Sequence, residues 1–322
     1  MNVMHRREFG AALAGRVLAA GAILPHLAHA KPLGWDRFAV LTDEVGRDEA
    51  DAIAFAKQYN IQWVELRDTP RAQDRTRKSE TYFRMEPERL KKVKADLHSA
   101  GLRVSFLNTG LLKFGLPGSD LKLRNPETPE VRAAREARQQ KQYDDRFQDL
   151  SLAIRAAHIL EVPILRVFAY IRVNDVSTVW DRIANDLGEY AHRAEKEGVT
   201  LLLENESSCN VATSRELADM TLKVNTKGLG MNWDPDNEWG QAQSWPDGYK
   251  ALPIHKLGNV QMKANNVIGA RKVDWVSILR ALGQDGYKGC VGLETHVFDG
   301  TLIEKAHLCL QEIQGYFRDA AA

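Results

Sequence analysis

Gly198-Val199-Thr200-Leu201-Leu202-Leu203-Glu204-Asn205 is an apolar run closed by an acid and an amide. Leu201-Leu202-Leu203 does not alternate with polar residues, so it reads as a strand covered on both faces, as in a parallel sheet. The same form recurs along the chain. Short apolar or β-branched runs occur at 38–42, 63–66, 102–107, 164–168, 200–203, 228–233, 259–262 and 290–293. Amphipathic segments lie between them. Residues 49–59 carry Ala52, Ile53, Ala56 and Tyr59 on one helical face, and 87–100 carry Leu90, Val93, Leu97 and Ala100. Further helices are predicted over 129–157, 176–196, 214–224, 275–282 and 303–316. Thr213, with Glu216 three positions on, is a capping box, and Asp274 starts the helix after it. Eight βα units in about 290 residues predict a single (β/α)8 TIM barrel. A doubly wound open sheet would carry a Gly-rich first turn, and none follows the first run.

The 322 residues are 44% hydrophobic and 27% charged, an ordinary globular composition. Lysine plus arginine is 44 and aspartate plus glutamate 43, for a net charge of +1. That balance argues against a protein built to grip a phosphate backbone. No stretch approaches the roughly 20 apolar residues of a spanning helix. Cys209, Cys290 and Cys309 are too few and too scattered for a disulfide framework or a paired zinc motif, and read as small buried hydrophobes.

The N-terminus runs His5-Arg6-Arg7-Glu8-Phe9, continues Gly/Ala/Leu-rich to Leu24, and ends Ala28-His29-Ala30 before Lys31. A basic start, a modest apolar middle and a small-x-small end predict a leader over 1–30, with the barrel over 31–322. Arg6-Arg7-x-Phe9 resembles a twin-arginine leader, and such leaders tolerate the weak hydrophobicity that Arg16 imposes. That resemblance implies the twin-arginine export machinery as a partner and a folded, periplasmic product. Without Arg6, Arg7, Arg16 and Glu8 the remainder holds 41 basic and 42 acidic residues, a net charge of −1.

Barrel chemistry gathers at the C-terminal ends of the strands. Those positions hold Asp43-Glu44, Glu65 and Arg67, Asn108, Arg166, Glu204-Asn205-Glu206, Asn232 with Asp234, Gln261 with Lys263, and Glu294 with His296. Two long connections, 68–85 and 110–127, follow strands and would border the same mouth. Asp234 comes 30 residues after Glu204 and Glu294 60 after Asp234, which are one and two βα units. Three carboxylates would then converge, and they repel unless protonated or bound to a cation. An all-oxygen set suits a hard divalent ion such as Mg2+ or Mn2+. The alternative is that each acid caps the helix that follows it.

Glu204-Asn205, Asn232-Trp233-Asp234-Pro235-Asp236-Asn237 and Val291-Gly292-Leu293-Glu294-Thr295-His296 resemble the xylose-isomerase-like TIM barrels, and within them the sugar phosphate isomerase/epimerase proteins. Thr42-Asp43-Glu44 and Val64-Glu65-Leu66-Arg67 match their first two strands, so the resemblance spans about 38–318. It implies a divalent metal held by Glu204, Asp234, Glu294 and the residue at 261. Position 261 departs from the family, which usually has His where this chain has Gln261. An amide oxygen binds more weakly than imidazole, which favours Mn2+ or Mg2+ over Zn2+.

The resemblance also implies proton transfer next to a sugar carbonyl, with Glu204 and Glu294 as base and acid. Asn237 falls where the epimerases carry a substrate-orienting His. Lys263, His296, Arg166 and Lys113 are candidates for sugar-oxygen contacts, or else structural and solvated residues. A periplasmic member would meet a free sugar, a keto-sugar or a glycoside. Lyase or hydratase action on 3-keto-glycosides uses the same α-proton chemistry, and a non-catalytic sugar-binding barrel is a further alternative. A DNA-repair endonuclease of this fold needs several strand-end histidines, and only His296 is so placed. Whether copies of the chain associate as a homo-oligomer is left open.

Overall fold

The computed structural model describes residues 31–322 apart from 72–75, 77, 239–241, 243, 269–271 and 298. The leader expected over 1–30 lies outside the described residues. Eight parallel strands close into one barrel in chain order. They are β1 (Phe38–Leu41), β2 (Trp63–Leu66), β3 (Arg103–Leu111), β4 (Ile164–Val167), β5 (Thr200–Glu204), β6 (Leu229–Trp233), β7 (Leu257–Met262) and β8 (Cys290–Leu293). Closure is direct: Val40 of β1 stands opposite Val64 of β2 and Leu293 of β8. Every predicted strand is present. The predicted third strand is too short, because Asn108-Thr109-Gly110 reads as a loop but runs on to pair Leu111 with Val167.

Helices α1 (Glu49–Gln58), α2 (Pro87–Ser99), α3 (Pro129–Asp144), α4 (Arg146–Leu160), α5 (Trp180–Lys196) and α6 (Ser214–Val224) follow the first five strands. A single turn α7 (Tyr249–Ala251), then α8 (Trp275–Gln284) and α9 (Leu302–Ala321), complete the ring. Side chains start several of them, two as the sequence predicts, at Thr213 and Asp274. Asp48, Thr128 and Asp274 accept backbone N–H bonds at α1, α3 and α8, and the Thr213–Glu216 capping box opens α6. The helix predicted over 129–157 is in fact two, hinged at Asp145. At the break the Arg146 Nη1 donates to the Tyr143 carbonyl at 2.7 Å, taking an acceptor that an unbroken helix would give to the Phe147 N–H.

α3 buries only Gln139 and lies over the mouth beside β3 and β4. Gly115 permits this, since a Cβ there would run into the Gln139 amide and come within 2.8 Å of Leu121 Cδ1. The three cysteines are buried and free, and burial pushes each thiol up to about 12, as inert core residues. Among the described residues, no helix is long and apolar enough to cross a membrane.

Candidate active site

The upper interior of the barrel is polar because strands present alternate residues to one face. β7 supplies Asn259 and Gln261, with Lys263 just beyond its end; β2 supplies Glu65, with Arg67 beyond; β6 supplies Asn232, with Asp234 beyond. Glu65 is wholly buried at the centre. Its Oε2 accepts from Asn108 Nδ2 at 2.6 Å and Gln261 Nε2 at 2.8 Å, and its Oε1 from Asn259 Nδ2 at 3.1 Å. Burial pushes this carboxyl up to about 7, against the opposing pull of the amide donors. Asn259 Nδ2 also donates to Asn232 Oδ1 at 3.1 Å, and Asn232 Nδ2 donates to Glu204 Oε2 at 2.5 Å. An amide path thus connects the carboxylates of Glu65 and Glu204.

Glu204 also accepts from Arg166 Nη1 at 3.2 Å and Asn237 Nδ2 at 3.4 Å. Burial raises its carboxyl; Arg166 opposes this, and Glu294 and Asp234 add to it. Asp234 Oδ1 accepts the backbone N–H of Asp236 at 2.8 Å and of Asn237 at 3.2 Å. Its Oδ2 pairs with Lys263 Nζ, which also lies 3.3 Å from Glu294 Oε2. Burial pushes Asp234 up to about 6, with Lys263 opposing. Burial works against the charge on Lys263, yet Asp234 and Glu294 hold it above its ordinary range.

Glu294 is shared more widely. Its Oε1 accepts from Arg67 Nη1 at 3.1 Å and its Oε2 is 2.8 Å from His296 Nε2. Burial disfavours its charge, but His296, Lys263 and Arg67 keep the carboxyl well below the usual range. Arg67 also binds Asp43 Oδ2 through Nε at 2.9 Å and Glu44 Oε1 through Nη2 at 2.7 Å. Glu44 Oε2 accepts from the Thr295 hydroxyl at 2.8 Å and the His296 N–H at 3.0 Å.

The structure therefore brings Glu204, Asp234, Glu294, Gln261, Lys263, His296, Asn237 and Arg166 into one connected mouth. Lys113 stands further out, 36% exposed, paired with Glu206 at 2.9 Å and 4.3 Å from the Phe168 ring centre. Among the described residues, none of the three predicted metal carboxylates caps a helix; Thr213 caps α6 instead. Arg67, Glu44 and Asn259 are central, although the sequence reading assigned them no role. The signal was present, since Glu65-x-Arg67 and Asn259-x-Gln261-x-Lys263 repeat at the strand period of two.

Two oxygen-rich arrangements could hold a cation. Glu204, Asp234, Glu294 and Gln261 are the first candidate set; the three carboxylates are not gathered within 4.8 Å of one another, with Arg166 on Glu204 and Lys263 between Asp234 and Glu294, and Gln261 Oε1 is buried without a hydrogen-bond partner. An orphaned buried amide oxygen is one donor of the kind a hard ion takes. In the second, Glu44, Glu294 and His296 have ligand atoms within 4.8 Å of one another. There the Glu44 oxygens are already taken by Arg67 and Thr295.

A family model described as xylose isomerase-like TIM barrel matches residues 53–313. No curated protein matches the chain. Solved structures of the same fold include D-psicose 3-epimerase with D-tagatose from Clostridium cellulolyticum H10, 18% identical, covering 88% of this chain and 96% of that one at TM-score 0.55. The 3-keto-D-glucoside 4-epimerase of E. coli, in apo form, is 13% identical, covers 87% and 98%, and has TM-score 0.62. The IOLI protein with a binding zinc atom is 14% identical, covers 88% and 98%, and also has TM-score 0.62.

Proposed function

Because the chain belongs to the xylose isomerase-like TIM barrel family, we propose that it is a divalent-metal-dependent isomerase or epimerase of a sugar or keto-sugar. The observation that carries this reading is the meeting of three buried strand-end carboxylates: Lys263 joins Asp234 to Glu294, and both of these acids raise the Glu204 carboxyl, which Arg166 holds. Glu204, Asp234, Glu294 and Gln261 would hold the metal, which when bound supplies a Lewis acid to a carbonyl and its neighbouring hydroxyl. Glu204 removes the proton beside the carbonyl and Glu294 returns one to the other face, or the reverse. Asn237, anchored by the Asn205 carbonyl at 3.0 Å, orients the substrate, and Arg166, Lys263 and His296 meet its oxygens. The neighbouring epimerases of D-psicose and of a 3-keto-D-glucoside support a ketone-bearing substrate.

The test is solvent-deuterium incorporation into a panel of keto-sugars with Mn2+, Mg2+ or chelator. Metal-dependent exchange at the carbon beside the ketone is expected. No exchange and no metal-dependent stabilisation would leave a sugar-binding barrel. Aglycone release from a 3-keto-glycoside would move the assignment to the lyase.

Position 261 makes a separate prediction. Gln261→His supplies the imidazole that zinc prefers, with Glu65 placed to accept its other ring N–H. Zinc affinity, measured by chelator competition, is expected to rise roughly 10-fold or more. An unchanged affinity would mean that 261 is not a ligand position.

We place the mature protein in a periplasm on the strength of the leader alone. A reporter fused to residues 1–40 is expected to be exported, and Arg6→Lys with Arg7→Lys is expected to stop it. Continued export of the double variant would defeat the twin-arginine reading.

A further inference from the structure

The mouth opens into a cavity of about 560 Å³ above β3 and β4, well within the range of small-molecule sites, roughly 300–1,000 Å³. Seven lysines and arginines line it against three carboxylates, Asp68, Asp145 and Asp149. Its inner cations belong to the site already described: Arg67 binds Glu294 and Arg166 binds Glu204. The outer wall has no such assignment. It is made of Arg84, Arg138, Lys141 and Arg146, brought there by α3 and by the hinge at Asp145.

These four cations are not equally committed. Arg84 pairs with Asp149 at 2.6 Å and Lys141 with Asp145 at 2.7 Å, exposed pairs that contribute little to stability and exchange readily. Among the described residues, Arg138 and Arg146 have no carboxylate within 4.0 Å. Arg146 is nevertheless held firmly. Its guanidinium lies 3.8 Å from the Tyr143 ring centre and 4.3 Å from that of Phe147, and Nη1 donates to the Tyr143 carbonyl at 2.7 Å. A guanidinium fixed by two rings, with no carboxylate within 4.0 Å among the described residues, in the wall of a cavity, is the arrangement that recognises an anionic oxygen.

We propose that the ligand of this cavity carries an anionic group, a carboxylate or a phosphate, which Arg146 binds with Arg138, Arg84 and Lys141 around it. The substrate class is then an acidic sugar or glycoside, with its charge on the β3–β4 side and its reacting carbon toward Glu204 and Glu294. This rests on the proposed function for the identity of the ligand as substrate, but the anion preference is measurable without turnover.

Titration calorimetry of the mature chain with D-glucose, D-glucuronate and D-glucose 6-phosphate tests it. At least one anionic probe is expected to bind roughly 10-fold or more tighter than glucose, an advantage that shrinks as salt rises. Preference for glucuronate alone identifies a carboxylate, and for the phosphate alone a phosphate. Arg146→Gln is expected to remove the advantage while leaving glucose affinity unchanged. Arg138→Gln, on an exposed helix face where folding is not at risk, is expected to weaken it. Equal affinity for the three probes, or an anion preference intact in both variants, overturns the proposal. Absent deuterium exchange with the anion preference intact would defeat the proposed reaction and leave the anion site standing.

Discussion

Glu204→Gln is expected to fold like the wild type and to lose roughly 10²–10⁴-fold of metal-dependent deuterium exchange into a keto-sugar. The substitution keeps the volume of a side chain that is only 2% exposed, so packing is preserved. In the proposed reaction it removes the group that would accept the substrate proton and replaces one carboxylate of the proposed metal set by an amide. It also sets an amide N–H2 against Asn232 Nδ2 or Asn237 Nδ2, both donors, so the local network must turn over. Circular dichroism and a melting curve separate loss of chemistry from loss of fold. Wild-type exchange in a folded Glu204→Gln variant would remove Glu204 from the mechanism, whatever metal the protein binds.

The second large effect concerns stability and centres on Glu65. Gly292 faces this carboxyl across the barrel: a Cβ at 292 would collide with Oε1 and Cδ and stand 2.9 Å from Oε2. The carboxyl cannot retreat, since three amides from β3 and β7 hold it. Gly292→Ala is therefore expected to cost several kcal/mol, about 3 or more, by overpacking and by leaving buried amides unpaired. Denaturant unfolding measures it, and a cost below about 1 kcal/mol would show that the interior yields.

The same carboxyl makes a signed statement about pH. Its folded value, about 7, lies above the ordinary 4.5 because burial penalises the charge. A group raised on folding contributes stability that is full below about 4.5 and is lost as pH rises through about 7. Glu65→Gln cannot titrate. Measured in chelator, the wild type should lose on the order of 3 kcal/mol relative to that variant between these limits. Parallel profiles would place the Glu65 carboxyl near its ordinary range.

Much of the fold was legible from local pattern. Leu201-Leu202-Leu203 and Ile164-Leu165 are strands because only a sheet covered on both faces buries such runs. Thr213 with Glu216 started a helix where the capping box said it should. The hinge at Asp145 was not legible, because the charged pattern of 129–157 suits a helix throughout. At the break the Arg146 guanidinium, stacked on Tyr143 and Phe147, takes the Tyr143 carbonyl of α3.

The site divides along the same line. By itself the sequence determined that polar residues close the apolar runs, and hence that Glu204, Asp234 and Glu294 stand at strand ends, because strand length and burial are written in local hydrophobicity. Only the tertiary structure decided which of those residues meet. Gln261 donates to Glu65 across 196 positions of chain, and Arg67 reaches Glu294 across 227. Such pairs depend on the register of a closed sheet, which sets which inward side chains share a level. Barrel closure also turned Glu65 from one strand residue among many into the acceptor for three amides. The cationic wall had the same origin, since its members come from α3, α4 and the turn before α2, and only packing brings them to one cavity.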